Sequence, residues 1–234
     1  MRKGELRRGQ ILDAAEKLFF EKGYDHTSVQ DILDALNLSK GGFYHYFDAK
    51  ESVLRDICER RMLNRFDRMS GELYASRRGP MDKLNLILNQ ACIFESEDIR
   101  FASLLVKLCY REGDTAIRAQ RRRILVDRLS GPMADVLRAG VEDGTFFIRR
   151  PVETGSLLLL LALDVDEECC DILAGELDNP DRVLRAIELL NAYRDGAEML
   201  IGAPHGALTF FDAGRLVNAW REATAEITRL EANA

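Results

Sequence analysis

Apolar residues recur at three- and four-residue intervals along almost all of this 234-residue chain, and glycine or proline interrupts the runs. Ile11, Ala14, Ala15, Leu18 and Phe19 form one face of a first helix. Gly23 ends it, because glycine tolerates the left-handed closing conformation. Val29, Ile32, Leu33 and Leu36 form the face of a short second helix, with Thr27 as its N-cap and Gln30 three residues on. Asn37-Leu38 makes a turn, and Ser39 caps a third helix whose core residues are Phe43 and Phe47. Asp48 caps a fourth, with Glu51 at its third position, and Leu54, Ile57, Cys58, Met62, Phe66 and Met69 carry its stripe toward Gly79-Pro80. Beyond Pro80 the same period predicts helices over roughly 81–95, 98–110, 114–143, 152–174, 181–201 and 212–231. Gly131-Pro132 predicts a kink or break inside the third of these. No run alternates as a strand does and no segment repeats, so the expected fold class is all-α.

Charge is uneven. The net charge of −6 argues against a nucleic-acid binder if taken as a sum. Residues 1–68, however, carry 13 Lys/Arg against 12 Asp/Glu, while the remainder carries 20 against 27. The first ten residues set Arg2, Lys3, Arg7 and Arg8 against Glu5 alone, which reads either as the edge of a DNA-reading head or as a disordered basic tail. Cys58, Cys92, Cys109, Cys169 and Cys170 are odd in number and lack CxxC or zinc-type spacing, so they read as reduced, mostly buried thiols of a cytoplasmic protein. The longest apolar run, Leu157 to Leu163, is too short to span a bilayer, and no membrane partner is expected.

The stretch TSVQDILDALNLSKGGFYHYFDAKE, from Thr27 to Glu51, concentrates the chemistry. Two short helices joined by a tight turn are the pattern of a helix-turn-helix, whose second helix lies in the DNA major groove. Thr27, Ser28 and Ser39 stand at helix starts, where hydroxyls and free amides meet phosphates. Gly41 and Gly42 each cost a helix about 1 kcal/mol relative to alanine, which suggests that the missing side chains let the backbone approach DNA closely. Lys40, Tyr44, His45, Tyr46 and Lys50 supply donors and flat surfaces around that gap. Tyr44 and Tyr46 read equally well as half-buried core aromatics.

In this order the residues resemble the N-terminal domain of the TetR family of bacterial transcriptional regulators. The resemblance runs over residues 10–54: Phe19-Phe20-Glu21-Lys22-Gly23-Tyr24 closing the first helix, Thr27-Ser28-Val29-Gln30-Asp31-Ile32 opening the second, and Ser39 through Glu51. It implies a three-helix DNA-binding domain over residues 1–50 and a larger helical effector-binding and dimerisation domain over 51–234. By position, Thr27 and Lys50 match phosphate-binding residues. Lys40, Gly41, Gly42, Tyr44 and His45 match recognition-helix positions, and Tyr46 stands where a phosphate-contacting histidine is usual. Asn37 replaces a turn glycine, Leu33 a common alanine, and Gly42 a frequent Thr or Ser.

The resemblance further implies a homodimer on a palindromic double-stranded DNA operator and release by a small-molecule effector, with no cofactor and no enzymatic activity. Candidate dimer helices are the one holding Leu157–Leu163 and the one holding Val183, Leu184, Ile187, Leu190, Ala197 and Leu200. The helix around Trp220, Ile227 and Leu230 exceeds the nine usual in the family. Phe94, Phe101, Cys109 and Tyr110 are candidate pocket residues, although a helical aromatic stripe also reads as core. Two clusters admit rival readings. Asp164, Asp166, Glu167, Glu168, Cys169, Cys170 and Asp171 suggest a metal or thiol sensor, or a solvated face with two ordinary thiols. Arg118, Arg121, Arg122 and Arg123 suggest an anion site, or a face paired with neighbouring acids. The three histidines, His26, His45 and His205, form no nucleophile-base set or metal spacing. An architectural or cell-division DNA binder of the same fold is the alternative function.

Overall fold

A computed structural model of the chain describes residues 3–75, 77–93, 99–111, 113–175 and 179–232. Among these residues there are ten α-helices and no strand: α1 (Lys3–Lys22), α2 (Val29–Leu36), α3 (Lys40–Tyr44), α4 (Lys50–Ala75), α5 (Pro80–Ala91), α6 (Ile99–Val106), α7 (Thr115–Glu142), α8 (Pro151–Ala174), α9 (Pro180–Ile201) and α10 (Ala213–Ala232). The tenth helix is therefore present, and α6 runs on into a wider π-type turn over Lys107–Arg111. The basic residues after Lys3 belong to α1 rather than to a tail: Arg7 bonds Gln10 at 2.9 Å, and Arg8 pairs with Asp56 and lies 5.5 Å from the Phe47 ring. No described helix is long and apolar enough to cross a membrane.

The chain divides into two compact units, one holding the chain up to Leu63 and from Ile227 onward, the other Asn64–Glu226. The expected domain edge at residue 50 is the start of α4, whereas the units divide inside that helix, at Leu63/Asn64. In the first unit, Ile11, Leu12, Ala15, Phe19, Ile32, Leu33, Phe43, Phe47, Val53, Leu54 and Ile57 are buried. Arg60 pairs with Asp13 and Glu16, both at 2.6 Å, and Arg61 also pairs with Glu16, which fastens α4 to α1 about three turns from its start.

In the second unit α8 is central, packed on α7, α9 and α5. Its pairing with α9 is antiparallel. Arg182 donates to Ile172 O at 2.8 Å near one end, and the buried Tyr193 hydroxyl donates to Leu158 O at 3.0 Å near the other. Local chemistry sets the ends: Asp114 accepts from Ala116 and Ile117 N–H at the start of α7, Asn179 accepts from Asp181 N–H before α9, and proline opens α5, α8 and α9.

Helix α7 corrects the expected break at Gly131-Pro132, for it runs unbroken from Thr115 to Glu142. Proline removes one hydrogen bond there, but Leu129, Met133 and Leu137 on both sides are fully buried and anchor the turns before and after it in the core. The two charged clusters meet each other. Arg122 pairs with Asp164 at 2.7 Å and Glu167 at 3.4 Å; Arg118 pairs with Asp171 at 3.4 Å and Glu167 at 3.7 Å. Arg121 pairs with Asp166 at 2.6 Å inside the core. Arg118, Arg121 and Arg122 thus pair with neighbouring acids. Asp166 departs from a solvated face, since it is fully buried, as are Cys169 and Cys170.

Candidate nucleic-acid interface

Helix α2 starts one residue later in its capping than the sequence suggests. The cap is Ser28, whose Oγ accepts from Asp31 N–H at 3.1 Å, while the Asp31 carboxylate accepts from Ser28 N–H at 2.8 Å, a closed capping box. Lys22 at 2.6 Å, then the Ser28 hydroxyl, hold the Asp31 carboxyl well below the usual carboxylate range. Thr27, expected as the cap, is buried, and its hydroxyl donates to Gly23 O at 2.7 Å. That bond ties the end of α1 to the start of α2 and turns the hydroxyl inward.

Asn37 closes α2 at φ 48°, ψ 48°, the left-handed conformation that asparagine tolerates where glycine is usual. Leu38 N–H returns to Leu33 O at 2.9 Å, and Ser39 then caps α3 by accepting from Gly42 N–H at 3.2 Å. Phe43 and Phe47 are buried with ring centres 5.9 Å apart, which fixes the five-residue α3 against the unit's core. Ser39, Lys40, Gly41, Tyr44 and His45 consequently face solvent, Tyr44 with 53% of its surface exposed.

The two glycines differ. A side chain at Gly41 meets no atom within 4 Å, so its surface is open. At Gly42 a Cβ stands 2.6 Å from Leu38 Cδ1, so the side chain of the turn leucine lies over Gly42 and would have to shift to admit a larger residue. Tyr46 is half-buried: its ring stands edge-on to His45 at 4.8 Å and its hydroxyl reaches toward Gly4 of α1.

Lys50 begins α4, and the preceding position is Ala49 rather than Asp48. The reach-back at this helix start is made by Ser52, whose Oγ accepts from Ala49 N–H at 3.3 Å, in place of the expected Glu51. Lys50 Nζ donates to Tyr24 O at 2.7 Å and lies 4.1 Å from the Tyr24 ring centre. Partial burial there pushes its pKa down, opposed by Asp25 and Glu51. The ammonium is thus held at the helix start by one backbone carbonyl and one aromatic face, and it retains two further donors.

Of the expected pocket residues, Phe94 lies outside the described residues. Phe101 and Cys109 are buried, and burial pushes the Cys109 thiol up to about 12. Tyr110 is mostly buried, with the Arg118 guanidinium 4.5 Å from its ring centre. The expected dimer residues separate. On α9, Val183, Leu190 and Ala197 are interior to the unit, whereas Leu184 and Leu200 are exposed. Leu157, Leu160 and Leu161 of α8 are exposed as well, and so are two residues that periodicity did not single out, Met199 at 83% and Phe147 at 78%. Phe147 N–H bonds Ile201 O at 3.0 Å, which brings it beside the end of α9.

Two short helices at a tight left-handed turn, the second buried by two phenylalanines and polar outward, define a helix-turn-helix DNA-binding protein. The model for bacterial regulatory proteins of the tetR family matches residues 11–57. The transcriptional repressor KstR2 of Rhodococcus jostii strain RHA1 is 30% identical over 144 residues, which cover 60% of this chain and 68% of that protein. The chain belongs to the TetR family of transcriptional regulators. A TetR/AcrR-family regulator from Thermobifida fusca YX-ER1 aligns with 80% of this chain and 98% of its own, at 25% identity and a TM-score of 0.51. FadR from Bacillus subtilis, solved with stearoyl-CoA, shares the fold over 84% of this chain and 98% of its own, at 20% identity and a TM-score of 0.53.

Proposed function

We propose that this regulator is a cytoplasmic homodimeric repressor that binds a palindromic operator through α2 and α3 and is released by a small-molecule effector. The observation that carries the reading is the outward set Ser39, Lys40, Gly41, Tyr44 and His45 on a helix anchored by Phe43 and Phe47, with Ser28 exposed at the start of α2. Lys40, Tyr44 and His45 act as base and backbone contacts, while Ser28, Ser39, Tyr46 and Lys50 hold phosphates. Thr27 contributes by shaping the α1–α2 junction through its hydroxyl bond to Gly23 O instead of by touching DNA.

One recognition helix reads only a few base pairs, so a two-fold dimer reading two half-sites about 34 Å apart, or a multiple of that, gives useful specificity. The exposed Leu157, Leu160, Leu161, Leu184, Met199 and Leu200 on α8 and α9 supply a surface for that dimer. An effector in the helical domain over 51–234 shifts the population between conformers that differ in head spacing. That KstR2 is named a repressor and FadR was solved with stearoyl-CoA supports this reading by analogy. The test is a footprint of the purified protein on DNA upstream of its own gene, with its mass measured in solution. Protection of one short palindrome by a dimer supports the proposal. Scattered protection favours an architectural role, and absence of sequence-specific binding at moderate salt refutes both.

A further inference from the structure

The geometry points to a divalent transition-metal site at the end of α9, built from Asp195, Glu198 and His205. These three are the His/Cys/Asp/Glu group among the described residues whose donor atoms converge, all within 4.8 Å of one another. His205 Nδ1 lies 3.5 Å from Asp195 Oδ1 and 3.5 Å from Glu198 Oε2. A tetrahedral zinc ion with N and O ligands at roughly 2.0–2.2 Å needs donor–donor separations of about 3.3–3.6 Å. Two of the three edges already have that length. The remaining one closes by rotation of Asp195, whose side chain is half exposed, although Arg194 approaches the same oxygen at 3.8 Å.

Backbone chemistry holds the donors in place. Asp195 and Glu198 stand one turn apart on α9. Gly202 then closes the helix at φ 68°, and Ala203 N–H returns to Glu198 O at 2.9 Å. Pro204 to Ala207 form a turn closed by Ala207 N–H on Pro204 O at 3.2 Å, with Gly206 at φ 81°, and this turn carries His205 back over the helix end. Glu198 is 2% exposed, and its two oxygens accept from Gly206 N–H at 3.0 Å and Leu208 N–H at 2.8 Å. One ligand is therefore rigid, and the carboxylate oxygen facing His205 keeps a lone pair.

Electrostatics call for a cation at this point. The C-terminus of a helix carries about half a negative charge, yet the last turns of α9 add two carboxylates and the last turn contains no basic residue. His205 is 79% exposed on its side chain, so an ion reaches its Nδ1 directly from solvent. The other two histidines, His26 and His45, lie in the first unit. With a bound ion the loop over 202–208 is stapled to α9 beside the exposed Met199 and Leu200. The inference is independent of the operator and the effector.

The test is calorimetric titration of the tag-free, chelator-treated full chain with zinc sulfate, together with hydrogen exchange of residues 203–208. The expected result is one ion per chain with micromolar affinity, weakened at least tenfold by His205→Ala and by Asp195→Asn, and slower exchange of the loop on addition of zinc in the wild type alone. Glu198 is left intact because its carboxylate holds the loop without metal. Absence of saturable binding overturns the site. So does zinc binding that persists in His205→Ala, which places the ion elsewhere, or binding that leaves the exchange of the loop unchanged.

Discussion

Replacing Arg121 with methionine leaves the Asp166 carboxylate buried without the guanidinium that faces it at 2.6 Å. Only Ile93 N–H, at 2.8 Å, then remains as a named partner, and Ala91 O loses the second bond that Arg121 makes, also at 2.8 Å. Methionine keeps much of the apolar stem, so the loss is chiefly electrostatic. Breaking a buried pair by removing one partner costs about 3–5 kcal/mol, because the surviving charge is left uncompensated. Against a whole-protein stability of about 5–15 kcal/mol, that is about a fifth of the total or more. A domain of about 150–250 residues loses roughly 2–4 °C of melting temperature per kcal/mol, giving an expected drop of about 6–20 °C. Circular-dichroism melts at one fixed protein concentration measure it, since association also moves the midpoint. The double variant Arg121→Met/Asp166→Leu removes both charges and is expected to recover at least half of the loss. A drop below about 2 °C for Arg121→Met, or a double variant less stable than the single one, refutes the argument that desolvation of Asp166 sets the cost.

The remaining predictions address the two faces and the thiols. Tyr44→Ala changes stability by less than about 0.5 kcal/mol, because the side chain is half exposed, yet weakens operator binding by roughly 1–3 kcal/mol in gel shifts; unchanged affinity removes Tyr44 from the interface. Lys50→Ala lowers affinity for all DNA sequences and reduces the salt slope by about one per chain, while also costing about 1 kcal/mol of stability through the lost Tyr24 contacts; an unchanged slope removes the phosphate role. Leu161→Glu combined with Met199→Glu yields a folded monomer by light scattering; a persisting dimer places the interface elsewhere. All five cysteines are buried and burial pushes Cys109 up to about 12, so at pH 8 a thiol reagent labels the native protein far more slowly than the unfolded chain, and rapid native labelling revives the thiol-sensor reading.

The recognition segment was legible because its determinants are local. A capping hydroxyl, an asparagine at the left-handed turn and apolar residues three and four apart act within one or two turns of helix, and α2, the turn and α3 follow directly. The helix ends at Pro80, Pro151 and Pro180 were legible for the same reason, since proline restricts its own backbone and its neighbour's. The family resemblance sharpened the roles of these residues and supplied the division into a DNA-binding head and a larger helical domain.

Tertiary packing decided the rest. Thr27 and Ser28 are equally good caps in sequence, and only the descent of α1 onto α2 buries one and leaves the other outside. Gly42 signals an open backbone until Leu38 fills the space its Cβ would take. Asp166 belongs to an acidic run with exposed members, and its burial follows from α7 presenting Arg121 across the helix pair. The outward phase of α9, with Met199 and Leu200 exposed and Val183 and Leu190 enclosed, depends on which side α8 covers. His205 stands seven residues from Glu198 with no metal spacing, and a helix cap followed by a glycine turn folds it back. Residues within a turn of each other meet through the chain's own geometry; residues on different helices meet only once the core has chosen which faces to bury, and that choice is made by the whole chain at once.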